Sequence, residues 1–131
     1  MSWVCRLYRS SLGAKYVMAT TGLLLFGFLI AHLLGNLQMF AGPEAVNSYA
    51  EKLRALGPLL WVARIGLLVI AGVHVATAMK LAKANQEARP VAYAKVTHRA
   101  AKPATKTMVL SGLVLLGYVV YHLDEFRLCV L

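Results

Sequence analysis

Stretches without charge divide this chain. Tyr16 to Pro43 holds no charged side chain, Ala55 to Met79 holds only Arg64, and Thr107 to Leu123 holds none. A helix rises about 1.5 Å per residue, so roughly 20 apolar residues cross the hydrocarbon of a bilayer. The first two stretches exceed that length, and the third, with 17 residues, stands at the short limit. The pattern predicts an all-α integral membrane protein with three transmembrane helices, at about 14–40, 59–83 and 107–123. Ala41-Gly42-Pro43 breaks the first helix, and Pro43 is suited to open the next one. From Glu44 to Leu56, apolar residues recur at Val46, Tyr49, Leu53 and Leu56. That spacing predicts a short amphipathic helix on the outer membrane surface, closed by Gly57-Pro58. The basic segment at about 84–106 contains Pro90 and Pro103, which argues for a loop. There is no internal repeat or low-complexity linker, so residues 1–131 read as a single membrane domain.

Composition agrees with the pattern. Sixty per cent of the 131 residues are hydrophobic, more than a soluble domain of this size can bury, whereas lipid can take the place of a core. The first run is too long for a secretory signal core. It contains His32, Asn36 and Gln38, and no small-x-small cleavage site follows it. The net charge of +9 is unevenly distributed. Arg6, Arg9 and Lys15 precede the first helix, and the loop from Lys80 to Lys106 has seven basic residues against Glu87. The first loop is neutral, and the tail after His122 carries Asp124, Glu125 and Arg127. Positive residues stay on the cytoplasmic side, so the expectation is a multi-pass protein of the cytoplasmic membrane with its N-terminus inside and its C-terminus outside. These charges flank apolar spans, which points to lipid headgroups and partner subunits and away from nucleic acid. Cys5 and Cys129 fall on opposite sides in this topology and form no metal motif.

The chemistry lies in the histidines. His98 sits in the basic loop and reads as a solvated residue. His32, His74 and His122 lie within apolar runs, where an ionisable group is costly and has a partner or a function. A single one of them is as readily a neutral imidazole bonded to a neighbouring helix. Depth relates them. His32 is 17 residues beyond Lys15, roughly 25 Å. His122 is 16 residues beyond Lys106, roughly 24 Å. His74 is only six residues from Lys80, roughly 9 Å. His32 and His122 therefore share an outer level, and His74 has an inner level to itself. Two imidazoles at one depth on different helices can clamp a haem from both faces. Gly35, Gly72, Gly112 and Gly117 would permit a porphyrin to approach, although close helix packing uses such glycines equally. A zinc site would need four close ligands, and the chain offers no nucleophile–base pair, phosphate loop or intramembrane carboxylate pair.

The stretch His32-Leu-Leu-Gly-Asn-Leu-Gln-Met-Phe-Ala-Gly-Pro-Glu-Ala-Val-Asn-Ser-Tyr-Ala50, followed by Leu56-Gly-Pro-Leu-Leu-Trp-Val-Ala-Arg64, resembles the di-haem cytochrome b membrane anchor of succinate dehydrogenase and fumarate reductase. His74-Val-Ala-Thr-Ala78, Ala88-Arg-Pro-Val-Ala-Tyr93 and Thr107-Met-Val-Leu-Ser-Gly112 extend the likeness over nearly all of residues 12 to 123. The resemblance implies a non-catalytic electron-transfer subunit that holds a flavoprotein and an iron–sulfur subunit on the cytoplasmic face. Its partners would be those subunits, membrane lipid and a quinone, often menaquinone. It implies His32 and His122 as ligands of an outer haem b and His74 as one ligand of an inner haem b. The family's second inner ligand lies on a later helix, and the residues from Asp124 to Leu131 depart from the family's continuation. The expectation is an anchor shortened to three helices, with His74 completed by a further membrane chain if at all.

Other polar residues are placed around these histidines. Arg64 either pairs with a haem propionate or snorkels to the outer surface. Glu51, on the surface helix, is a weak candidate for a quinone headgroup and is more simply a solvated residue. Tyr118 and Thr77, each about one turn from a membrane histidine, either support it or pack. Two other readings stay open: a haem-free structural anchor whose histidines bond between helices, and a truncated, non-functional fragment of the five-helix anchor.

Overall fold

A computed structural model describes residues 8, 10–88, 91 and 103–128. The described residues contain helices and no strand, and three helices are long and apolar enough to cross a membrane: Ser11–Ala41, Pro58–Glu87 and Met108–Glu125. His98, both cysteines and most of the basic loop lie outside the described residues.

The first of these begins at Ser10, whose extended backbone and hydroxyl cap the helix by accepting a hydrogen bond from Gly13 N at 2.9 Å. Helix α1 spans Ser11–Asn36 and tightens into a 3₁₀ turn at Leu37–Ala41. Helix α2 spans Pro43–Ala55, and α3 spans Pro58–Glu87. Both follow the same device. A glycine at positive φ (Gly42 at 101°, Gly57 at 52°) reverses the chain, and a proline opens the next helix where its missing N–H is no loss. α3 runs past the expected membrane span, which ends near 83, and two residues past the Asn85 that the sequence allows it, because hydrophobicity stops before helix propensity does. Lys83 and Glu87 pair across one turn at 3.8 Å, and the first strong breaker is Pro90.

The chain divides into two compact units, Met1–Ala88 and Arg89–Leu131. In the first, α1 and α3 pack as an antiparallel pair. Thr21 on α1 meets His74 on α3, while Tyr8, before α1, meets Thr77 and Lys80 farther along α3. The second unit has a helical turn at Pro103–Lys106 and helix α4, Met108–Leu128, which continues past the expected 123 through Asp124 and Glu125. Those charges end the apolar span without ending the helix. Few of the described side chains are buried, and large apolar ones such as Leu23 and Phe26 are exposed, as suits helices apolar enough to cross a membrane.

On α2 the half-buried residues are Ala45, Tyr49, Ala50 and Leu53, and Glu44, Glu51, Lys52 and Arg54 are exposed. Tyr49 and Leu53 thus turn inward as the spacing predicts, whereas Val46 and Leu56 are exposed. Tyr49 reaches α1. An atom added as Cβ at Gly35 would lie 2.5 Å from its Oη. Among the described residues it is therefore Tyr49 that fills the space Gly35 leaves.

Candidate functional site

α1 and α3 are in contact, and buried or half-buried positions recur on each at seven-residue spacings among others. On α1 the buried and half-buried positions include Ala14, Met18, Thr21, Leu25, His32 and Gly35; on α3 they include Leu60, Leu67, His74 and Leu81. Such spacing keeps one face of each helix toward its neighbour. Of the membrane histidines, His74 meets the facing helix at Thr21 and Gly22, and His32 is half-buried beside Phe28 and Asn36 of its own helix.

His74 lies at the heart of the pairing. Its Nδ1 is 2.9 Å from Oγ1 of Thr21, and Thr21 is buried. Gly22 lets the ring rest against α1, since a Cβ there would come within 3.3 Å of its Cε1. Among the described residues the imidazole makes this one hydrogen bond, through one of its two nitrogens. An imidazole held by one nitrogen, with the other directed elsewhere, has the chemistry of an axial haem ligand. Thr21 is six residues beyond Lys15, and His74 is six before Lys80. The bond between them therefore aligns the basic ends of the two helices.

His32 lies eleven residues beyond Thr21, three turns and roughly 16 Å farther along the same face of α1. Within the first unit, His32 and His74 thus occupy separate levels and cannot share one metal. The Asn36 amide donates to the His32 carbonyl at 2.7 Å and lies 3.2 Å from its Nδ1, and the Phe28 ring centroid is 5.3 Å from the imidazole's. Arg64 lies ten residues before His74, roughly 15 Å along α3 in the same direction, so it stands near the level of His32. Its guanidinium is exposed and sits 5.0 Å from the Trp61 ring centroid. Glu51 is exposed on the polar face of α2. In the second unit His122 is half-buried, and Tyr118 stacks on it with centroids 5.8 Å apart and planes 16° from parallel.

Of the two roles open to Thr77, the structure shows packing. Thr77 does not support His74. It is fully buried, donates to the Val73 carbonyl at 2.7 Å and meets Tyr8 Oη at 3.3 Å. Lys80 donates to the Tyr8 carbonyl and lies over its ring, 4.1 Å from the centroid. These bonds fasten Tyr8 to Thr77 and Lys80 of α3. Gly72, Gly112 and Gly117 face open space. Thr21 and Gly22, not singled out in the sequence, are the residues against His74. The signal was available in the equal spacing of Thr21 and His74 from Lys15 and Lys80. Among the described residues no three His, Cys, Asp or Glu side chains gather as a metal-binding group.

No protein-family model, curated protein or solved structure matches the chain.

Proposed function

We propose that this chain is a haem b-binding membrane anchor of a succinate dehydrogenase or fumarate reductase complex. In this reading it passes electrons between an iron–sulfur subunit and membrane quinone. The observation that carries the reading is the placement of two imidazoles in the first unit, His74 against Thr21 of α1 and His32 half-buried three turns farther along α1, at levels roughly 16 Å apart, inside spans where ionisable groups are costly. The motif resemblance supplies the identity of the cofactor and of the complex. Bound haem supplies one-electron chemistry that no side chain of this protein provides.

In this reading His32 and His122 hold one haem and His74 is one ligand of another. The second ligand facing His74 comes from outside α1 and α3, because His32 lies three turns away. Arg64, near the level of His32, offers a cation to a propionate, and Glu51 is the candidate for a quinone headgroup. The aligned basic ends of α1 and α3 face the cytoplasm, where the iron–sulfur and flavoprotein subunits dock.

A reduced-minus-oxidised optical spectrum of the purified chain, with a pyridine haemochrome count, tests the proposal. A low-spin b-type α band with about one haem per chain is the result for the His32–His122 site alone, and about two indicates a filled site at His74. No haem refutes the proposal. A second reading, a haem-free structural anchor, draws on the Thr21–His74 bond, since interhelical bonds of this kind hold membrane helices together unaided. The same spectrum separates the two.

A further inference from the structure

We infer that Thr21 is the positioning residue for His74, fixing its tautomer so that Nε2 is presented as the iron ligand; the ligand half of this inference rests on the haem reading above. The direction of the hydrogen bonds follows from the number of protons available. Thr21 Oγ1 lies 2.7 Å from the Val17 carbonyl and 3.2 Å from that of Met18, one turn back in α1. A hydroxyl has one proton and two lone pairs. In an apolar seam no water competes for that proton, and the closer carbonyl takes it. The oxygen is then an acceptor toward His74, so the 2.9 Å contact is an Nδ1–H donating to Thr21. The ring's lone pair is on Nε2, which points away from Thr21.

Two further features hold this arrangement. Gly22, one residue on, leaves only enough room for the imidazole edge, with Cε1 and Nδ1 at 3.3 and 3.8 Å from where a Cβ would stand. The ring is therefore seated by shape as well as by its bond. The Thr21 hydroxyl is also polarised by the carbonyl it serves, and this strengthens its acceptance from Nδ1–H. An accepting partner on the far nitrogen raises the basicity of a ligating imidazole and fixes its rotation.

The test uses the full chain in lipid bilayers and has two arms. In the first, haem is withheld, histidine is labelled with ¹⁵N, and the His74 signals are assigned by their loss in His74→Asn. Wild type and Thr21→Ser give protonated Nδ1, and Thr21→Val gives a mixture of tautomers. Protonated Nε2 in wild type overturns the inference whatever haem does, and needs no variant to fold. In the second arm, the haem that disappears in His74→Ala is followed by its ferric electron paramagnetic resonance and its retention. Thr21→Val shifts the highest g value and weakens retention about tenfold, and Thr21→Ser restores both. A Thr21→Val spectrum and retention equal to wild type, with haem still lost in His74→Ala, overturns the role of Thr21 and leaves the haem reading standing. Haem unchanged in His74→Ala overturns the assignment of His74 as a ligand, while the tautomer remains readable from the first arm.

Discussion

Replacing Gly35 by alanine tests the packing of the surface helix without reference to any cofactor. The added methyl would lie 2.5, 2.8 and 2.9 Å from Oη, Cζ and Cε1 of Tyr49, closer than such atoms approach. Overpacking of this kind costs typically about 1–3 kcal/mol. Here the obstructing atoms are the far end of a ring on a short helix between two glycine turns, so the chain can yield by letting Tyr49 leave. Alanine meanwhile improves the propensity of α1 by about 1 kcal/mol over glycine. The two effects partly offset in global stability, leaving a loss of about 0–2 kcal/mol. They do not offset locally, because the gain belongs to α1 and the loss to α2.

Hydrogen exchange in nanodiscs resolves that difference. Amides from Tyr49 to Ala55 exchange about tenfold faster in Gly35→Ala, equivalent to about 1.4 kcal/mol of easier local opening, while those of α1 are unchanged or slower. Gly27→Ala is the control, since nothing lies within 4 Å of its added methyl. In the background Tyr49→Ala, the Gly35 substitution no longer matters to α2, which gives a coupling of about 1 kcal/mol in a double-mutant cycle. Equal exchange of α2 in Gly35→Ala and Gly27→Ala would refute the reasoning, and with it the docking of Tyr49 on α1.

The remaining predictions concern turns, ligands and charge. Gly42→Ala and Gly57→Ala each force a side chain into a positive-φ conformation and cost about 1–3 kcal/mol, read as a lower thermal midpoint in detergent. If His32 and His122 hold one haem, the double alanine variant loses no more haem than either single variant, by haemochrome count. A larger loss in the double variant places them at different haems. Arg64→Gln lowers the midpoint potential of the His32-dependent haem, because removing a nearby cation disfavours the reduced, more negative state; an unchanged potential leaves Arg64 with only its contact to Trp61. A reporter inserted near Val91 reads cytoplasmic if the basic ends of α1 and α3 face inward, and an external signal reverses the orientation.

The sequence was legible where one physical effect dominates. Charge is so costly in hydrocarbon that runs without it mark the spans, and Gly42-Pro43 and Gly57-Pro58 mark turns that few other pairs make. It was less legible where two effects part company. The apolar run ends at Met79 but the helix continues to Glu87, because nothing from Lys80 to Glu87 opposes helix formation. Tyr49 was placed on the inward face by periodicity, but periodicity does not say that Gly35 receives it. Thr21 has no hydropathy signal. Its importance emerges once α1 and α3 are set antiparallel with Lys15 and Lys80 level.

That register also bears on why a histidine stands at 74. If the bond to Thr21 served packing alone, a second threonine or a serine there would bridge the helices with a smaller polar group, and nothing would be left over. An imidazole always brings a second nitrogen. With the proton on Nδ1, that nitrogen is a lone pair in an apolar setting; with the proton on Nε2, it is a donor without an acceptor among the described residues, which costs more to leave unmet. The first arrangement is the less costly one for the empty seam and the one a metal requires. A packing role accounts for one nitrogen of His74 and a ligand role accounts for both. Both readings therefore place the proton on Nδ1, and they divide on whether Nε2 is filled, which the haem count reads.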